Sequence, residues 1–252
     1  MQKTDNLINE FKNSNYVVGI VLAGSATKGY FDDYSDHDYQ VIVTDDYYSE
    51  LDEDSKVIHI DDEKSEFLFL PVSDYYRKID SCANIDHWPY ETSQIIYDND
   101  GKLEDATIQI ITMDSEERES KLKLFYFEFI FYATRIDKLI KRNSEFNCLM
   151  TMAAMNRSVV NLLFVLKGSW SSNIYWSEQN LNELDIEKYH PLIKLMLSIL
   201  KEPQKNKTED LINRIDKLLL GEGFEFQFNK LDLIAEVVSP KFRNVRERYG
   251  TM

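Results

Sequence analysis

The chain has 252 residues, 43% apolar and 13% aromatic, a globular composition that excludes intrinsic disorder and allows one large domain or two small ones. Its formal net charge of −15 disfavours DNA and RNA as partners, since binding them depends on Lys and Arg neutralising phosphates. The charge is concentrated: residues 31–66 hold fourteen Asp or Glu against Lys56 and Lys64, a field that suits divalent metal ions or a small cation, or is simply a solvated surface.

The opening residues, MQKTDNLINEFKNSN, are polar and amphipathic and lack the apolar core of a secretory signal. They predict a helix capped by Thr4 or Asp5, with Leu7, Ile8 and Phe11 at helical spacing. YVVGIVLAG (16–24) is a continuous apolar, β-branched run ending in Gly, which predicts a buried strand. DYQVIV predicts a second strand, KVIHI a third and EFLFLPV a fourth; Pro71 stops the fourth as a regular central strand. Asp45, Asp46, Asp52, Glu53, Asp54, Asp61 and Asp62 fall where loops are expected. VSDYYRKI reads as a short helix capped by Ser73 or Asp74, and SQIIYDNDGKL as a last strand and turn.

From Asp114 the texture becomes helical. DSEERESKLKLFYFEFIFYATRIDKLIKR has a cap, acidic residues in its first turn and basic ones in its last, as the helix dipole favours. SEFNCLMTMAAMNRSVVNLLFVLKG predicts a second helix closed by Gly168. SEQNLNELD, YHPLIKLMLSILK, KTEDLINRIDKLLLG and FNKLDLIAEVV predict further helices. The expected fold is α+β: a mixed β-sheet domain over residues 1–112 followed by an all-α bundle over 113–252. No apolar run reads as long enough to cross a bilayer; the nearest, Phe125 to Ala133, is short and contains Glu128. Cys82 and Cys148 are far apart with no CxxC, which points to a reduced, cytoplasmic protein.

The chemistry concentrates in LAGSATKGYFDDYSDHDYQVIV (22–43). Asp36 and Asp38, at i and i+2 on an extended chain, share a face. Two such carboxylates repel, so the arrangement costs stability unless a cation sits between them, and oxygen-only ligands favour Mg²⁺ or Mn²⁺. Gly24 lets backbone amides approach a phosphate closely, and Ser25 adds a hydroxyl donor or caps a helix; the two roles are compatible. Lys28 is a phosphate contact or a solvated loop lysine. Glu66 opens another apolar strand, an expensive place for a charge without a partner. If that strand lies beside the one holding Asp36 and Asp38, three carboxylates converge; otherwise Glu66 is an edge charge that guards against aggregation.

GSATKGYFDDYSDHD resembles the Gly-Ser, spacer, Asp-x-Asp signature of the DNA polymerase β-like nucleotidyltransferase superfamily. GSATKG and SDHD look like the versions in bacterial antibiotic nucleotidyltransferases, which adenylylate aminoglycosides and lincosamides. The motif match covers residues 22–43 and, more loosely, EFLFLPVSD; the helical half matches only in general character. The resemblance implies Mg²⁺-dependent transfer of a nucleoside monophosphate from ATP or another NTP to a small-molecule hydroxyl, with release of pyrophosphate. It implies Asp36, Asp38 and Glu66 as catalytic, metal-binding carboxylates, with Glu66 as metal ligand or general base. It further implies Gly24, Ser25, Lys28 and Ser35 on the nucleotide, a catalytic domain over 1–112 and a helical substrate-binding domain over 113–252. Other readings are a nucleotidyltransferase acting on a protein or tRNA, with the charge against tRNA, and a catalytically silent nucleotide-binding, antitoxin-like module, with the retained carboxylates against it.

His37, between the aspartates, is expected on the opposite face, and His59, His87 and His190 lack metal-ligand spacing. Trp88, Tyr90, Trp170, Tyr175 and Trp176 read more readily as packing residues than as stacking platforms. Arg135, Arg157 and Lys167 are candidate triphosphate contacts, and KFRNVRER is a basic tail that is either solvated or packed on the acidic half.

Overall fold

The computed structural model describes residues 2–29 and 31–250; Tyr30, inside the motif loop, falls outside them. The chain divides into two compact units, Met1–Thr112 and Met113–Met252. The first is built on a mixed five-stranded sheet and the second is helical throughout its regular structure.

In the first unit helix α1 (Gln2–Lys12) precedes strand β1 (Val17–Ala23), followed by β2 (His37–Val43), helix α2 (Asp45–Glu50), β3 (Val57–Ile60), β4 (Ser65–Pro71), helix α3 (Val72–Arg77), β5 (Gln94–Asp98) and helix α4 (Leu103–Ile111). The sheet order is β3-β4-β2-β1-β5, with β2 and β4 parallel and the other neighbours antiparallel. Alternation sorts the side chains. Ile20, Leu22, Tyr39, Val41, Phe67 and Phe69 face α1, which contributes Ile8 and Phe11. Val21 and Ile42 face the opposite way, onto Tyr75, Tyr90 and Leu103 from α3, α4 and the segment before β5. Pro71 is the last residue of an interior strand, so it ends β4 without breaking a ladder.

The starts of α1 and α3 are held by distant groups, not by the caps expected from neighbouring sequence. Thr4 lies inside α1, and the backbone N–H groups of Lys3 and Thr4 both donate to the Glu63 carboxylate, at 2.9 and 2.7 Å. At α3 neither Ser73 nor Asp74 caps; Ser73 N–H donates to Asp45 Oδ1 at 3.1 Å. Asp45 and Asp46 themselves open α2 instead of lying in a loop. Helix α4 was not expected. It starts where Leu103 N–H donates to Asp98 Oδ2 at 2.8 Å, so the DNDG turn is the cap of a helix.

In the second unit helices α5 (Ser115–Lys141) and α6 (Glu145–Leu166) form a long hairpin, followed by α7 (Ser177–Lys201), α8 (Lys205–Gly221), α9 (Lys230–Val238) and α10 (Arg243–Tyr249). Asp114 caps α5 by accepting from Glu117 N–H at 2.8 Å. Non-helical backbone at Asp185 divides α7 where two helices were expected, and Asp185 Oδ1 caps the second part at Lys188 N–H. α6 is long and apolar enough by composition to cross a membrane, contrary to the sequence reading; half of its most apolar window is buried within the protein. The basic tail packs on its own unit: Phe242 is buried, and Tyr249 O–H donates to Glu117 Oε1 at 2.5 Å. Tyr249 and Trp170 also cover the buried Lys121 ammonium, at 4.2 and 3.6 Å from the ring centroids.

Candidate active site

Two adjacent parallel strands, β2 and β4, carry the carboxylates. Asp38 is the second residue of β2 and stands opposite Glu66 on β4 in the parallel ladder. On the other side Asp38 pairs with Ala23, the last residue of β1, and Glu66 pairs with His59 on β3. Ala23, Asp38, Glu66 and His59 therefore form one row across four strands, and paired residues point to the same face. Their neighbours Leu22, Tyr39 and Phe67 all lie in the core on the other face. Asp36 lies just before β2, and His37 is on the α1 side, near Phe31 and Tyr39, as alternation requires.

The chain leaves β1 through Gly24, whose φ of +78° is a conformation open to Gly at little cost. A Cβ at Gly24 would also stand 2.8 Å from Asp38 Oδ2. Gly24–Thr27 then makes one 3₁₀ turn, closed by Lys28 N–H to Ser25 O at 3.1 Å and by Thr27 O–H to Gly24 O at 2.9 Å.

The carboxylates interact. The Asp38 carboxyl is raised from the usual range to about 6, first by desolvation, then by the charges of Glu66 and Asp36. Asp38 keeps an exposed edge, so the row is open to solvent on one side and crowded by protein on the other. Among the described residues no three His, Cys, Asp or Glu side chains are gathered closely enough to hold a metal ion as they stand. Glu66 instead leans to the sheet edge, with Oε2 3.1 Å from His59 Nδ1. Hard oxygen donors, mutual repulsion and the space kept by Gly24 nevertheless fit a divalent ion such as Mg²⁺ or Mn²⁺ at Asp36 and Asp38.

The residues suggested for the nucleotide divide. Gly24 and Ser25 lie at the turn beside Asp38. Ser35 is buried and turned inward: its hydroxyl donates to Asp32 Oδ1 at 2.9 Å and accepts from Asp32 N–H. Lys28 is not a solvated lysine. Its side chain is 5% exposed, with Nζ 3.3 Å from Glu91 Oε2 and 5.0 Å from the Trp88 ring centroid. Thr27 and Thr92 add a hydroxyl contact at 3.0 Å, so the Gly24–Thr27 turn is fastened to residues 88–92. That clamp was not visible in the sequence.

Trp88, Tyr90 and Trp170 are buried packing residues and Tyr175 is exposed. In the second unit Arg135 donates to Phe131 O on its own helix, Lys167 pairs with Glu222 at 3.1 Å, and Arg157 is exposed.

No family model and no curated protein matches the chain. Among solved structures it is similar to a nucleotidyltransferase-like protein from Exiguobacterium sibiricum, at 16% identity and a TM-score of 0.48, over 88% of this chain and 74% of that one.

Proposed function

We propose that the chain is a nucleotidyltransferase that moves a nucleoside monophosphate, AMP in the first instance, from an NTP to a hydroxyl of a small cationic acceptor of the aminoglycoside or lincosamide type. The observation that carries the reading is the register of β1, β2 and β4, which sets Gly24 against Asp38 and Asp38 against Glu66. It joins a backbone turn that suits phosphate to a carboxylate group that suits a divalent ion.

In this reading Asp36 and Asp38 hold Mg²⁺, which when bound would neutralise the triphosphate and the charge that develops on transfer. The amides at Gly24 and Ser25 and the Ser25 hydroxyl orient the phosphates. Glu66 takes the proton from the acceptor hydroxyl. The hydroxyl oxygen forms a bond to the α-phosphorus as the bond to the bridging oxygen breaks, and pyrophosphate leaves with that electron pair. Lys28 and Ser35 serve as supports of the loop, which fits their inward contacts. The acidic segment 31–66 favours a cationic acceptor by long-range attraction.

The test is incubation with each labelled NTP, Mg²⁺ and a panel of aminoglycosides and lincosamides, read by mass spectrometry. An acceptor heavier by one nucleoside monophosphate is expected. Nucleotide binding with no product on any acceptor would favour a silent binding module.

A further inference from the structure

We infer that His59 is a positioning residue for Glu66, holding one carboxylate oxygen at the sheet edge so that Glu66 acts as proton acceptor and stays outside the ligand set of the cation. The inference rests on the nucleotidyl-transfer reading above and assigns a role within the same site.

Among the described residues β3 is an edge strand, paired with β4 alone. Its side chains alternate. Ile58 and Ile60 pack toward the α1 core, while His59 falls on the face that carries Glu66 and Asp38. Glu66 thus lies between a carboxylate on one neighbouring strand and an imidazole on the other. Repulsion from Asp38 and the polar contact with His59 draw the Glu66 carboxylate in the same direction, toward the edge. The side chain follows: Oε2 stands 3.1 Å from Nδ1. This accounts for the lack of a gathered three-carboxylate group among the described residues, although Asp38 and Glu66 are direct ladder partners.

Holding Oε2 leaves Oε1 to accept a proton, and fixes its direction. A general base must keep hydrogen-bond reach of its proton, and a small misplacement of a reacting group is costly in rate. Loss of a partner that orients a metal-ligating side chain costs about 10- to 100-fold, and a comparable factor is expected where the oriented group is a general base. The Glu66 and His59 side chains are 39% and 59% exposed, so the pair contributes little to stability, and its value lies in orientation.

The experiment compares wild type, His59→Ala and His59→Asn. Asn places a donor nitrogen at the same bond separation from Cβ as Nδ1. Pyrophosphate release is measured with Mg²⁺-ATP and kanamycin. Mn²⁺ binding is measured by electron paramagnetic resonance with α,β-methylene-ATP, which cannot transfer its nucleotide. The expected result for His59→Ala is a kcat about 10- to 100-fold lower, an unchanged KM for ATP, and Mn²⁺ affinity equal to or above wild type, because Glu66 is released toward the cation. His59→Asn should recover most of kcat. Unchanged kcat in His59→Ala, no recovery in His59→Asn, or Mn²⁺ affinity lost on removing His59 would each overturn the assignment. If wild type gives no product with any acceptor, the transfer reading fails. The Mn²⁺ titration then decides His59 alone: equal or higher affinity in His59→Ala supports the held Glu66, and a loss refutes it.

Discussion

Gly24 and Asp38 contend for one small volume: a methyl group on Gly24 would stand 2.8 Å from Asp38 Oδ2. Glycine at this position therefore does two things. It takes the left-handed backbone that turns the chain out of β1, and it keeps the space beside the carboxylate free. Gly24→Ala should cost about 1–3 kcal/mol through the strained conformation and push Asp38 aside. The expected outcome is a folded protein with a lowered melting temperature and transfer reduced at least tenfold. Full activity on the panel with an unchanged Tm would show that neither the turn nor the space matters.

Burial, with the charges of Glu66 and Asp36, raises the Asp38 carboxyl to about 6, which should make metal-free stability depend on pH. Its carboxyl is raised in the folded state, so the folded protein binds more protons than the unfolded one between about 4 and 6. Stability contributed by Asp38 is present at low pH and is lost as pH rises through 6. Asp38→Asn should remove that slope and leave the metal-free protein as stable as wild type, or more so, at pH 7. It should also abolish transfer. Denaturant titrations from pH 4.5 to 8 in a chelator, together with product assays at saturating Mg²⁺, check both halves. Active Asp38→Asn, or active Asp36→Asn, would end the metal assignment.

Glu66→Gln keeps the shape of the side chain and removes its basicity. Turnover should drop roughly 10²- to 10⁴-fold, while calorimetric titration with Mg²⁺-ATP still shows binding close to wild type. Binding lost together with turnover would place Glu66 on the cation. Unchanged turnover would make it a bystander.

Lys28 offers a test that reads the loop and not the chemistry. Removing its ammonium in Lys28→Ala takes a charge-assisted contact from Glu91 and a cation from the face of Trp88. A loss of about 1–3 kcal/mol in denaturant unfolding is expected, with a higher KM for ATP as the Gly24–Thr27 turn loosens. Lys28→Ala with wild-type stability would mean that the clamp is idle.

The strands of the first unit were legible because apolar, β-branched runs bounded by turn residues have few other uses. YVVGIVLAG and EFLFLPV fall within a residue or two of β1 and β4. The convergence of Asp38 and Glu66 was legible only as a condition, since residue spacing does not say which strands are neighbours. His59 is hidden in the sequence for the same reason: it has no metal-ligand spacing along the chain, and its partner lies across a ladder. The caps expected at α1 and α3 failed on distance, whereas Asp114, adjacent to α5, caps it as its sequence indicates. Glu63 serves α1 from about sixty residues away and Asp45 serves α3 from twenty-eight, whereas cap signatures read only adjacent residues. Helix α4, LEDATIQII, was missed because it is short and rich in β-branched residues; the visible signal was Asp98 in DNDG. The burial of Lys28 left no local trace.

The covering of Lys121 has a consequence for the order of events during synthesis. Glu117 and Lys121 belong to the first turns of α5, and Tyr249, which bonds one and roofs the other, lies 132 residues from Glu117. A growing chain exposes the amphipathic surface of α5 well before that roof is made. Contacts of such long sequence separation are slow to close. The roof over Lys121 therefore joins residues from the two ends of the helical unit, and its closure depends on the helices between them being in place.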